Sequence, residues 1–320
     1  MIDALKMSPD LVLQTFHLGK QFKHRMAVEN LNLSIPKGEV FGFLGPNGAG
    51  KSTTIRMVLS LIAPTTGRVE LFGKSLYHHR REVLSRVGGL VESADFYLYL
   101  SGRQNLEIVG ALRGAVEKRA VEEVLDTVGL TDRANDKVKT YSHGMKQRLG
   151  IAQALLGNPE FIVLDEPTTG LDPQGIKEVR QLIRRLSTER GITVFLSSHL
   201  LSEIEQTATS MAIINAGKLI VQGNVHELLH SGNNSVKIDA QPADRAREVM
   251  QGLAFVAGLE QDDRFMRVTL PIEKVTALVA ALVVAGVDVH AVIPQRSLEE
   301  YFLSITEGAT EIAPHRPKPS

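Results

Sequence analysis

Gly45, Pro46, Asn47, Gly48, Ala49, Gly50, Lys51 and Ser52 follow one another in the spacing G-x-x-x-x-G-K-S, and the chemistry that this spacing serves is the holding of phosphate. The glycines let the backbone curl so that successive N–H groups point inward at phosphate oxygens, a conformation that side chains would obstruct. The helical pattern that follows, Lys51 to Ile62 with Thr53 in its first turn, adds the positive end of its dipole. Lys51 is placed to reach the β- and γ-phosphates and the Ser52 hydroxyl to ligate Mg²⁺. The implied ligand is a nucleoside triphosphate.

Three further stretches carry chemistry. Phe161-Ile-Val-Leu-Asp165-Glu166 is an apolar strand ending in two carboxylates. At the carboxyl end of a buried strand, where open α/β sheets collect their ligands, Asp165 is expected to hold Mg²⁺ through water. Glu166 would orient or deprotonate the attacking water. Ile192 to His199 is a second apolar strand, ending in an imidazole able to hydrogen-bond the γ-phosphate. Tyr141-Ser142-His143-Gly144 precedes the helical pattern Leu149 to Leu156, so Ser142 and Gly144 offer a hydroxyl, free N–H groups and a dipole to a second anion.

The elements that must position these residues are legible in the periodicity. Short apolar pieces at 11–15, 31–35 and 40–44 read as strands, separated by turn material such as Pro36-Lys-Gly38. From Arg103 to about Gly157 the period becomes helical. Strands at 161–164 and 192–196 then alternate with helices at 174–190 and 200–208, which implies a parallel sheet flanked by helices. Residues 211–215 and 219–222 read as a closing hairpin.

The polar loop Ser231-Gly-Asn-Asn-Ser235 marks a boundary. Beyond it come strand 236–240, helix 244–252, strands 254–260 and 265–270, helix 272–286 and strand 287–293. The order β-α-β-β-α-β predicts a small ferredoxin-like domain. A last helix is expected near 297–305, and the proline-containing tail 308–320 is read as disordered. The expected organisation is thus a nucleotide-binding domain over 11–230, an accessory α+β domain over 235–306 and that tail.

Bulk properties exclude several classes. The 320 residues carry 36 basic and 36 acidic side chains, without the basic excess expected of a nucleic-acid partner. With no cysteine, disulfides, thiolate zinc sites and cysteine nucleophiles are excluded. The ten histidines show no zinc spacing. No apolar run approaches the roughly 20 residues needed to span a bilayer, so the chain is read as soluble, or held at a membrane only through a partner.

In their order the motifs resemble the nucleotide-binding subunit of ABC (ATP-binding cassette) transporters, over about residues 11–230. Residues 45–52 match the Walker A loop, 161–166 Walker B with its catalytic glutamate, and 141–145 the signature that the family writes Leu-Ser-Gly-Gly-Gln. Asp172 falls at the D-loop position, His199 at the switch histidine, and Phe22 where the family stacks an aromatic on adenine. The resemblance implies a P-loop fold with a parallel-sheet core, an antiparallel β subdomain and a helical subdomain. It implies ATP and Mg²⁺ as cofactors, a second copy of the chain completing each ATP site, and a separate membrane permease as partner. It also implies a cytoplasmic, membrane-peripheral location.

Departures from the consensus are His143 and Met145 in the signature, and Glu92 where the family places the Q-loop glutamine. Glu92 is expected to serve as a metal ligand. These substitutions, with Tyr97 close behind and the terminal small domain, resemble the bacitracin and multidrug exporter branch. In the family the segment after the Q-loop receives a short permease helix, so Phe96 and Tyr97 are expected to anchor that interface. A non-transport remodelling ATPase of the same superfamily is the alternative, disfavoured by the single cassette and the absence of cysteine or excess charge.

Overall fold

The computed structural model describes residues 10–92, 94–114, 117–230, 235–262 and 264–295. They form two compact units that divide between Asn224 and Val225. Residues 225–230, placed in the first domain on sequence grounds, therefore group with the second unit.

The first unit opens with strands β1 (Leu11–Phe22), β2 (Arg25–Leu31) and β3 (Ser34–Pro36), followed by β4 (Val40–Leu44), helix α1 (Lys51–Val58), β5 (Thr66–Leu71) and β6 (Lys74–Ser75). All of these strands except β4 build an antiparallel sheet ordered β2-β1-β5-β6, with β3 also paired to β1. The apolar stretch 31–35 is interrupted at Asn32, whose side chain accepts from the His17 backbone N–H at 2.8 Å. Helix α1 stops at Val58, four residues before the end of its apolar pattern, because Ser60 takes up a left-handed φ of 54°.

Next come α2 (Arg80–Ser85), β7 (Val87–Leu90), α3 (Gly102–Arg113), α4 (Lys118–Thr127), α5 (His143–Leu155), β8 (Phe161–Leu164), α6 (Pro173–Arg190), β9 (Thr193–Ser198), α7 (Leu201–Glu205), β10 (Ser210–Asn215) and β11 (Lys218–Asn224). A six-stranded sheet runs β11-β10-β4-β9-β8-β7. Its strands are parallel except at the β10–β11 hairpin. Strands β4, β8 and β9 are buried along their whole length, as parallel strands covered on both faces must be. Phe195 packs its ring 5.8 Å from Phe41 and 5.3 Å from Phe43. This core fixes the carboxyl ends of β4, β8 and β9 side by side, where the chemical residues emerge.

The second unit follows helix α8 (Val225–His230) with β12 (Ser235–Gln241), α9 (Ala243–Gln251), β13 (Gly258–Asp262), β14 (Phe265–Thr269), α10 (Val275–Val284) and β15 (Asp288–Gln295). The sheet order β13-β14-β12-β15, antiparallel throughout, is that of a split βαβ, ferredoxin-like fold. Val236, Ile238, Met266, Val268, Leu278 and Leu282 form its core. Strand β13 begins at Gly258, later than the apolar stretch 254–260 implied, and a 3-10 turn at Ile272–Lys274 precedes α10. The helix expected at 297–305 and the tail 308–320 lie outside the described residues. No helix among the described residues is long and apolar enough to cross a membrane.

Candidate functional site

Between β4 and α1 the chain turns through the Gly45–Ser52 loop. Gly50 holds φ at 109°, and a Cβ there would stand 2.5 Å from the Ala27 carbonyl oxygen, so no larger residue fits this turn. Gly45 and Ala49 build the turn without lining the cleft above it. The Gly45 backbone N–H donates to the Ser198 carbonyl at 3.3 Å and the Ala49 N–H to the Pro46 carbonyl at 3.1 Å. Gly50 gives α1 no side-chain cap, and the first turn carries no acid. The first N–H groups of α1 thus remain available to an anion.

Above this loop lies a cleft of about 660 Å³, lined by Phe22, Pro46, Asn47, Gly48, Gly50, Lys51, Ser52, Thr53, Glu166 and His199, together with Arg25, Ala27 and Thr169. The cleft brings together most of the residues that the sequence nominated. Phe22, at the end of β1, is 48% exposed, with Lys20 Nζ 5.2 Å from its ring centroid.

The polar network is continuous. Lys51 Nζ donates to the Gly45 carbonyl at 2.7 Å and lies 3.3 Å from Glu166 Oε1. His199 Nδ1 is 2.7 Å from Glu166 Oε2, which also accepts from Thr169 Oγ1 at 2.9 Å. Burial pushes the Glu166 carboxyl up, but the hydrogen bonds from His199 and Thr169 and the charge of Lys51 outweigh it. The carboxyl is held below its ordinary range and stays ionised. Glu166 also occupies a left-handed φ of 50°, a backbone state that costs on the order of 1–3 kcal/mol in a non-glycine residue and is found where a site dictates geometry.

Asp165 is only 3% exposed and does not line the cleft. Ser197 on β9 donates from Oγ to its Oδ1 at 2.6 Å and accepts from the Glu166 backbone N–H at 2.9 Å. One hydroxyl thereby ties the Asp165 carboxylate to the Glu166 backbone. Glu203 on α7, also buried, accepts from Thr168 Oγ1 and Ser198 Oγ, both at 2.6 Å. It ties the loop after Glu166 to the residue preceding His199. Ser197, Thr169 and Glu203 were not nominated by the sequence. A lone hydroxyl or a helix-surface glutamate carries no signal until the sheet order brings its partners alongside.

Other nominated residues stand elsewhere. Ser142 caps α5, accepting from the Met145 N–H at 3.2 Å, and Asp172 caps α6, accepting from the Gly175 N–H at 2.8 Å. These two helix starts are neighbours: a Cβ on Gly144 would meet the Gly175 Cα at 3.7 Å. Ser142, Gly144 and Asp172 are thus grouped with one another and lie outside the cleft of their own chain. Glu92 does not join the site. Its carboxylate is 66% exposed and paired with Arg56, because the turn after β7, with Glu92 at φ 61°, sends it to the guanidinium on α1.

A phosphate loop at the carboxyl edge of a parallel sheet, faced by a strand-end carboxylate and an imidazole, defines a P-loop nucleoside triphosphatase. Residues 28–169 match the ABC transporter family. The chain is 41% identical over 301 residues to the bacitracin transport ATP-binding protein BcrA of Bacillus licheniformis, covering 93% of this chain and 98% of that one. It is 36% identical over 313 residues to the daunorubicin/doxorubicin resistance ATP-binding protein DrrA of Streptomyces peucetius, covering 94% of each. Among solved structures, cbiO1 of Clostridium perfringens superposes with a TM-score of 0.63 at 26% identity, over 76% of this chain and 96% of that one. A dimeric ATP-binding cassette in a post-hydrolysis state with ADP and Pi gives 0.60 at 25% identity, over 67% and 98%. The chain belongs to the ABC transporter family and is an ATP-binding, ATP-hydrolysing subunit.

Proposed function

We propose that this chain powers an exporter of antibiotic-like, multidrug or lipid-like cargo through a separate membrane permease, that it works as a pair of identical copies, and that it sits at the cytoplasmic face of the membrane. The cargo class and the permease rest on the kinship with the bacitracin and daunorubicin proteins. The pairing rests on one observation in particular. Lys51, Glu166 and His199 share a cleft, whereas Ser142, Gly144 and Asp172 are gathered at two exposed helix starts outside it. In a head-to-tail pair, Ser142 and Gly144 of one copy close over the γ-phosphate held by Lys51 of the other.

The arriving triphosphate competes with Glu166 for Lys51. Once Lys51 turns to the phosphates, Glu166 keeps its contact with His199 and becomes free to accept a hydrogen bond from water. That water attacks the γ-phosphorus as the bond to the β–γ bridging oxygen breaks, and its proton passes to the carboxylate. The hydroxyl of Ser52 and the buried carboxylate of Asp165 are hard oxygen donors that suit Mg²⁺. When bound there, the ion would neutralise charge on the β- and γ-phosphates. Exposed Tyr97, whose loop is clasped by Asn105 through 2.9 and 3.1 Å hydrogen bonds, offers the permease a rigidly presented ring.

Mixing two disabled variants tests the pairing. Lys51→Ala and Ser142→Ala chains should each be nearly inactive, and their mixture should recover ATPase because one composite site per heterodimer is whole. A mixture no more active than its components would overturn the arrangement.

A further inference from the structure

Of the three basic side chains lining the cleft, Lys51 and His199 are engaged with Glu166. The third, Arg25, has no hydrogen-bond or ion-pair partner among the described residues. Its position is set by the β1–β2 hairpin: Phe22 and Arg25 are the register pair next to the turn, so their side chains leave the same face. Both line the cleft, and an Arg25 guanidinium nitrogen would lie 3.8 Å from a Cβ on Gly48. The hairpin thus presents an aromatic ring and a guanidinium together at the mouth of the cleft, the latter over the phosphate loop.

Charge balance gives this cation a task. Before a ligand arrives Lys51 is matched by Glu166, so among the cleft's own groups Arg25 and the α1 dipole are the positive charge not yet committed. A guanidinium with several free donors is suited to phosphate oxygens. Resting on the nucleotide-binding reading above, we infer that Arg25 is a further nucleotide-binding residue, donating to the phosphate chain of ATP from above Gly48 while Lys51 holds it from below.

The test measures ATP and ADP binding to the full-length chain in wild-type form and as Arg25→Gln and Arg25→Lys, at low ionic strength and again at about 0.5 M salt. Thermal midpoints should agree among the three, because Arg25 is exposed and unpaired. Arg25→Gln should lose about tenfold in ATP affinity at low ionic strength, the scale of a charge-assisted hydrogen bond at an open site. The loss should shrink at high salt, and Arg25→Lys should recover part of it. An Arg25→Gln affinity within twofold of wild type would overturn the assignment. So would a loss independent of salt, which would mark a contact to the base or a packing role. Wild-type protein that binds no ATP would instead bring down the nucleotide reading itself, and this inference with it.

Discussion

The cleft around Lys51 and the paired helix starts at Ser142 and Asp172 are two ways of leaving a site ready. In the cleft, charge is internally balanced: Glu166 holds Lys51 on one oxygen and His199 on the other, and a ligand enters by exchanging those contacts. At the helix starts nothing charged is matched. Ser142 and Asp172 satisfy their own helices through caps and present exposed small groups and a dipole end outward. The first region is complete for holding phosphate, and the second has no ligand within its own chain. In the proposed pair, catalysis depends on a surface that the cleft does not contain.

The largest expected effect separates binding from chemistry within the cleft. Glu166→Gln keeps the shape but removes the base, so turnover should fall by 10²-fold or more, with ATP affinity retained or improved as Lys51 loses its competitor. Steady-state hydrolysis and equilibrium binding on the same preparation check both halves. Activity above about a tenth of wild type would remove Glu166 from its role.

Ser142→Ala probes the other region and should split differently. Loss of the cap costs about 1 kcal/mol of stability, and ATP binding to a single chain should be unaffected. Hydrolysis should nonetheless collapse, far beyond what that stability loss explains. Parallel thermal melts, binding isotherms and turnover separate the contributions; reduced ATP affinity in the isolated chain would place Ser142 in its own cleft.

The smallest effect is a pH dependence. Folding lowers the Glu166 pKa below its ordinary 4.5. Its ionised form therefore contributes stability that is full above the unfolded value and disappears as pH falls through the lower folded value. The gap in melting temperature between wild type and Glu166→Gln should be constant near neutrality and change only in acid, below about pH 4.5. A gap that already changes near neutrality would contradict this assignment.

What the sequence disclosed follows the same divide. The phosphate loop and the strand ending in Asp165-Glu166 are local patterns, so residues 45–52 and 161–166 were readable directly. The short strands at 66–71, 74–75 and 87–90 were not read as strands: Val87-Gly-Gly-Leu90 has glycine where branched residues would announce a strand, and pairing with β8 makes it one. Glu92, nominated from its Q-loop position in the family pattern, is delivered to Arg56 by the turn after β7, a pairing across the fold that the pattern does not disclose. Ser197 and Glu203 carry no signal in the sequence because their partners come from distant strands and loops, and Arg25 carries none because only the β1–β2 hairpin brings it over the phosphate loop.

The central claim is that one chain builds half of each hydrolytic site and ATP draws two chains together. Sedimentation of Glu166→Gln protein tests it most directly, since slow turnover keeps the nucleotide intact. With Mg-ATP the account predicts the mass of two chains, reverting to one with ADP or on adding Ser142→Ala. A single-chain mass at saturating, stoichiometrically bound ATP would contradict it.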